Sequence, residues 1–206
     1  MTVKNVIFDV GGVLLEWNPV KLLTSMFDEN LAEILKTNMM DSPHWADLDR
    51  GTISIDQAVA LFSQKIPELT KEIRYVLTTM IDHLPVIQQN VNTLYELAKA
   101  NYRLFVLSNF QREAFFEAYR KNEFFKLFEG LVISSHVKMI KPEKKIYELI
   151  LSRYSLAPYE TVFFDDSYEN IKAANQMKIT GIHTPSPAQL NDFYINELKR
   201  KKQYVL

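Results

Sequence analysis

Short apolar runs alternate with amphipathic stretches along most of this chain of 206 residues. The first run, Val6-Ile7-Phe8, delivers one carboxylate, Asp9, into the pair Gly11-Gly12 before apolar residues resume at Val13 and Leu14. Later runs are Arg103 to Leu107, ending in Ser108-Asn109; Leu131 to Ile133, ending in Ser134-Ser135; Thr161 to Phe164, ending in Asp165-Asp166; and Gly181 to Thr184. Between them lie helical patterns. Ile87, Val91, Leu94 and Ala98 share one helical face, and Asn101 is placed as a left-handed stop. Further helices are expected over about 111–121, from Pro142 to Arg153, over about 168–177, and after Ser186-Pro187. Strands covered on both faces read as continuous apolar runs, so the alternation predicts an α/β fold with a doubly wound parallel sheet.

The segment from Glu16 to His83 has a different texture. It carries helix signals and no convincing strand: Asn18-Pro19, Asn30 with Glu33, Ser42-Pro43, Ser54 with Gln57 in capping-box spacing, and Thr70 ahead of Ile73, Val76, Leu77 and Met80. Asp49-Arg50-Gly51-Thr52 reads as a turn between two of these helices. The organisation expected is a Rossmann-like core made of residues 1–15 and 84–206, with an all-helical insert over 16–83.

Composition narrows the class of function. Apolar residues make up 47% and charged residues 24%, which argues against disorder. The net charge of −1 points to neither nucleic acid nor a membrane surface as partner. The basic run Lys199 to Lys202 reads as a solvated helix end. Cysteine is absent, which removes disulfides, thiolate nucleophiles and cysteine metal sites. The amino terminus runs directly into a strand with no charged-then-apolar leader, and no apolar run approaches the ~18 residues of a membrane span. These features predict a soluble cytoplasmic protein, a monomer or weak dimer.

The candidate chemistry sits at the strand ends. Right-handed crossovers bring Asp9, Ser108-Asn109 and Asp165-Asp166 to one edge of the sheet, with Lys141-Pro142 opening a neighbouring helix. Carboxylates with one cation and one hydroxyl suit phosphoryl transfer to a carboxylate nucleophile. Lys141 supplies a point charge and Ser108 a hydrogen bond for phosphate oxygens. Three aspartates and a phosphate would repel one another, so Mg²⁺ is the expected cofactor.

In order, FDVGGVL, LSN, KPEKKIY and VFFDDSYENIKAAN resemble the four motifs of the haloacid dehalogenase superfamily, and the helical insert falls where that superfamily places its first cap domain. The resemblance implies that Asp9 is a nucleophile forming an aspartyl-phosphate and that Ser108 and Lys141 hold the phosphoryl group. It implies Mg²⁺ ligation by Asp9, Asp166 with Asp165, and the Gly11 carbonyl, with Asn109 touching substrate or a neighbouring site residue. One position departs from the usual phosphatase pattern, DxD, whose second Asp serves as general acid and base: here that place is Gly11. Three readings follow. The first is a phosphatase of a small phosphorylated metabolite with an easily expelled leaving group, similar to the bacterial α-glucose-1-phosphate phosphatase branch. The second is a metal-independent 2-haloacid dehalogenase, against which the paired acidic residues Asp165-Asp166 count. The third is a non-catalytic relative that binds a phosphorylated ligand or a protein. His136, after the third strand, is a candidate for the missing acid. Trp17, Trp45 and Arg50 are the candidate substrate contacts from the insert. Lys138 stands where the superfamily often has Gly, and the sequence alone offers no reason for it.

Overall fold

A computed structural model describes residues 3–199; the side chains of the basic run Lys199 to Lys202 lie outside the described residues. After β1 (Asn5–Phe8) come the helices of the insert, α1 (Pro19–Thr24), α2 (Glu29–Leu35), α3 (Pro43–Arg50), α4 (Ile55–Phe62) and α5 (Thr70–Thr79). Then follow α6 (Gln88–Lys99), β2 (Arg103–Ser108), α7 (Arg112–Lys121), β3 (Gly130–Ile133) and the single turn α8 (Ser134–Val137). The chain continues through α9 (Lys144–Arg153), β4 (Thr161–Asp165), α10 (Tyr168–Gln176), β5 (Thr180–His183) and α11 (Pro187–Phe193). The five strands pair in parallel in the order β3-β2-β1-β4-β5. Phe8 lies opposite Val106 on one side and Phe164 on the other, so Asp9, Ser108 and Asp165 leave the sheet at the same edge.

Local chemistry sets most boundaries where the pattern places them. Asn18 accepts from the Lys21 amide at 3.0 Å, and Ser54 and Gln57 form the expected reciprocal box. Asn101 takes φ 58. Two starts differ. α2 is capped by Asp28, whose carboxylate accepts from the Leu31 amide at 3.0 Å, rather than by Asn30, because the charge also favours the helix's positive end. α9 begins at Lys144 rather than Pro142: the Asn109 side chain bonds both the amide and the carbonyl of Lys141, at 2.8 and 3.0 Å, and holds that segment in the loop.

Alternation along the strands divides the core into two apolar clusters. Ile7, Phe105, Leu107 and Phe163 pack on Ile146, Tyr147 and Ile150 of α9 and on Ile171 of α10. The opposite face, with Val6, Phe8 and Val106, belongs to a larger cluster that runs on into the insert through Leu22, Leu35, Leu48, Phe62 and Leu77. The two segments that lead into and out of the insert lie side by side. The Glu16 amide bonds the Pro85 carbonyl at 2.8 Å, and the Ile87 amide bonds the Leu14 carbonyl at 2.9 Å. Among the described residues no helix is long and apolar enough to cross a membrane.

Candidate active site

Asp9 is the first residue beyond β1, and its carboxylate is held on both sides. One oxygen accepts the Val10 amide at 2.7 Å, and the other lies 2.8 Å from the Lys141 ammonium. Lys141 lies 2.6 Å from Asp165, inside a fully buried pair. Burial works against the ammonium, but the Asp165 and Asp9 charges overcome it and keep its pKa above the ordinary lysine value. Asp165 has no oxygen to spare: besides Lys141 it accepts the Ser167 amide at 2.8 Å and the Asn170 amide group at 2.9 Å. Asp165, expected as a metal ligand with Asp166, also positions Lys141 in this geometry. Ser108 ends β2 fully buried at the same sheet edge, and its hydroxyl has no hydrogen-bond partner. Asn109 is occupied by the Lys141 backbone, so it ties two site loops together.

Carboxylate oxygens of Asp9, Asp165 and Asp166 all lie within 4.8 Å of one another. Burial, and secondarily the Asp165 charge, pushes the Asp166 carboxyl above its ordinary pKa; burial drives Asp9 up to about 7, with Lys141 opposing. Such crowding of hard oxygen donors fits a small divalent cation between Asp9 and Asp166. The second glycine of the pair makes the crowding possible. Gly12 has φ +72, and a Cβ there would come within 2.2 Å of an Asp166 oxygen.

Above the carboxylates lies a cavity of about 170 Å³ bounded by Asp9, Gly11, Asn109, Gln111 and Asp166 from the core and by Trp17, Trp45 and Asp49 from the insert side. Both tryptophans are where substrate contact was expected, with ring centres 5.9 Å apart. A Cβ at Gly11 would meet the Cβ of Trp17 at 3.5 Å, an ordinary van der Waals contact, so Trp17 packs beside position 11. Leu15, Met80, Leu84 and Phe110 complete apolar walls.

Arg50 is not a wall of this cavity: it pairs with Glu143 at 2.6 Å. The pair is one of three links between the insert turn and the core. Ser134 donates its hydroxyl to the Asp49 carbonyl at 2.5 Å, and the Lys138 ammonium donates to the Gly51 carbonyl. Lys138 thereby acquires a role. Its φ is 60, a conformation natural to Gly that costs other residues about 1–2 kcal/mol, and in return its side chain holds the turn. His136 does not reach the cavity; it packs edge-on to Phe115 with centres 5.7 Å apart, and burial lowers its pKa.

Two cavity residues escaped the sequence reading. Gln111 is 1% exposed with both amide atoms unpartnered, and Asp49 carries a carboxyl raised to about 7, chiefly by burial and then by the Asp9 charge. Asp49 had a legible signal, since it follows Trp45 by four residues and so shares its helical face. Gln111 had a weaker one, a polar residue three places after a strand end.

The latch allows a test. Glu143→Gln removes the charge pairing of Arg50, a partly exposed pair worth up to about 1 kcal/mol. Stability is expected to fall by no more than about 2–4 °C in Tm, with KM rising up to about fivefold and kcat nearly unchanged, read by calorimetry and steady-state kinetics.

A sesquiterpene phosphatase of Aspergillus oryzae is 28% identical over 182 residues, covering 88% of this chain and 90% of its own. A phosphorylated carbohydrates phosphatase of Thermotoga maritima is 26% identical over 185 residues, covering 86% of this chain and 83% of its own. The crystal structure of a Bacteroides thetaiotaomicron HAD family enzyme, in complex with magnesium and inorganic phosphate, shares the fold with a TM-score of 0.67 at 21% identity, over 88% of this chain and 93% of that one. The sequence profile of the haloacid dehalogenase-like hydrolases matches residues 6–183, and the chain belongs to that family.

Proposed function

We propose that the protein is a Mg²⁺-dependent phosphatase of small phosphorylated metabolites that works through an aspartyl-phosphate on Asp9, with a sugar phosphate such as a hexose 1-phosphate as substrate and residues 16–83 acting as the cap. The observation that carries this reading is a buried hydroxyl without a partner, Ser108, at the sheet edge where a buried ammonium, Lys141, already touches the candidate nucleophile. An arriving phosphoryl group satisfies both. Asp9, Asp166 and the Gly11 carbonyl would hold Mg²⁺, which when bound supplies positive charge against the carboxylate and phosphate oxygens.

Asp9 attacks phosphorus in line with the leaving oxygen, and the Asp9–phosphorus bond forms as the ester bond breaks. Lys141 and Ser108 steady the equatorial oxygens throughout, and Asp165 fixes Lys141 so that no reorganisation is needed at the moment of transfer. Trp17 and Trp45 enclose the organic half and exclude water. Gln111 favours a hydroxylated organic group over a hydrocarbon one. A hydrocarbon would leave its buried amide unsatisfied, at a cost of about 1–3 kcal/mol.

The test is a screen of sugar 1-phosphates, sugar 6-phosphates and a prenyl phosphate with Mg²⁺ present. EDTA is expected to remove phosphate release and added Mg²⁺ to restore it; undiminished activity in EDTA defeats the metal-dependent mechanism. A preference for the prenyl phosphate over every sugar phosphate would overturn the substrate assignment alone.

A further inference from the structure

We propose that Asp49, carried by the helical insert, is the general acid and base that position 11 does not supply. The inference rests on the aspartyl-phosphate reading and adds the proton donor that it lacks.

Position 11 carries no side chain, and Trp17 lies in van der Waals reach of the place where one would begin. Trp17 faces Trp45, and the Trp45 indole N–H donates to the Asp49 carboxylate, so the carboxyl lines the cavity beside the two rings that wall it. Asp49 and Asp9 line the same cavity from opposite sides of the insert–core boundary. A leaving-group oxygen has to depart on the side away from Asp9, since displacement at phosphorus is in line. Asp49 is an acid available on that side.

Three further observations suit the role. Among the described residues Asp49 has no ion-pair partner: neighbouring Arg50 is turned to Glu143, and Lys141 is engaged by Asp9 and Asp165. Its position is set through its backbone, by the bond from Ser134 to its carbonyl and by the clasp of Lys138 on Gly51, which leaves the side chain's protonation free of structural duty. Burial, then the Asp9 charge, with Lys141 and the Trp45 bond opposing, holds the carboxyl near neutrality, where one group can both give and take a proton. The steps balance. As the Asp9–phosphorus bond forms and the ester bond breaks, the Asp49 proton passes to the leaving oxygen, giving the alcohol. The resulting Asp49 carboxylate then takes a proton from water as its oxygen attacks phosphorus, the Asp9–phosphorus bond breaks, and phosphate leaves with Asp49 protonated again.

The experiment compares leaving groups. With 2-phenylethyl phosphate, an alkyl ester that needs protonation, Asp49→Asn is expected to lower kcat by about 10²–10⁴-fold. With p-nitrophenyl phosphate, whose leaving group needs none, the same variant should release nitrophenolate in a burst equal to the enzyme present and then turn over slowly, because the base for dephosphorylation is gone. Asp49→Glu keeps a carboxyl and should exceed the Asn variant on the alkyl ester by roughly an order of magnitude or more. Equal losses on both esters without a burst, or equal activity of the Glu and Asn variants, overturn the assignment. Neither outcome touches the nucleophile: that reading fails only if Asp9→Asn still turns over.

Discussion

Asp9→Asn is expected to lower phosphate release by about 10⁴–10⁶-fold, the scale seen when a covalent nucleophile is removed, while leaving the protein at least as heat-stable as the parent in metal-free buffer. The two halves of this expectation have one cause. Asp9, Asp165 and Lys141 together carry two negative charges against one positive, in a place from which water is nearly excluded. The amide keeps the shape, and its one oxygen can accept from Val10 or from Lys141 but not from both; Lys141 keeps Asp165 at 2.6 Å, so the triad becomes neutral for the loss of one hydrogen bond. Burial raises the Asp9 carboxyl to about 7, which means that the folded chain resists the charge on which catalysis depends. A variant that is both inactive and clearly less stable would show that Asp9 serves the fold and not the chemistry. Phosphate release and thermal melts on the same preparation decide it.

The strand ends were legible because a buried parallel strand must end its apolar run where the ligand groove begins, and Asp9, Ser108 and Asp165-Asp166 all stand at such ends. What the sequence could not separate was duty within a pair. Asp165 still belongs to β4 and points into the cluster that fixes Lys141, whereas Asp166 lies one residue beyond the strand and against Gly12. Adjacent carboxylates look alike in sequence and differ in which side of the backbone they leave. The insert shows the opposite problem. Its helices could be read from caps and periodicity, but Arg50 stood out because it flanks the turn of the insert, as Asp49 does too, and only the Glu143 partner, 93 positions away in the chain, reveals that Arg50 is engaged elsewhere. Long-range pairing of this kind leaves no local trace. Lys138 is of the same sort, since its reason for occupying a left-handed position is a carbonyl in the insert, Gly51.

Lys141→Met should be the most damaging change to the fold as well as to turnover. The side chain lies 5.4 Å over the Phe163 ring, in surroundings where the methionine chain fits, so the loss is one of charge rather than volume. Two carboxylates that share one buried cation are left without it, and breaking such a pair costs about 3–5 kcal/mol. Against a total stability of about 5–15 kcal/mol this is a large fraction, equivalent to a fall of about 6–20 °C in Tm. Phosphate stabilisation goes with it, for a further expected loss of about 10²–10³-fold in kcat. The pH dependence follows from the sign of the carboxylate shift. Asp9 binds a proton up to about pH 7 in the folded protein but only up to about its ordinary value of 3.8 when unfolded, and without Lys141 the folded-state affinity for that proton rises further. The stability deficit against the parent therefore widens as the pH rises through about 7, where the parent's Asp9 releases its proton and the variant's does not, and it narrows to a constant lower value below that, where both folded proteins hold the proton. Thermal melts of both proteins at pH 5 and pH 8 in metal-free buffer measure it, and a deficit of equal size at the two values would mean that packing, not charge, is what Lys141 contributes.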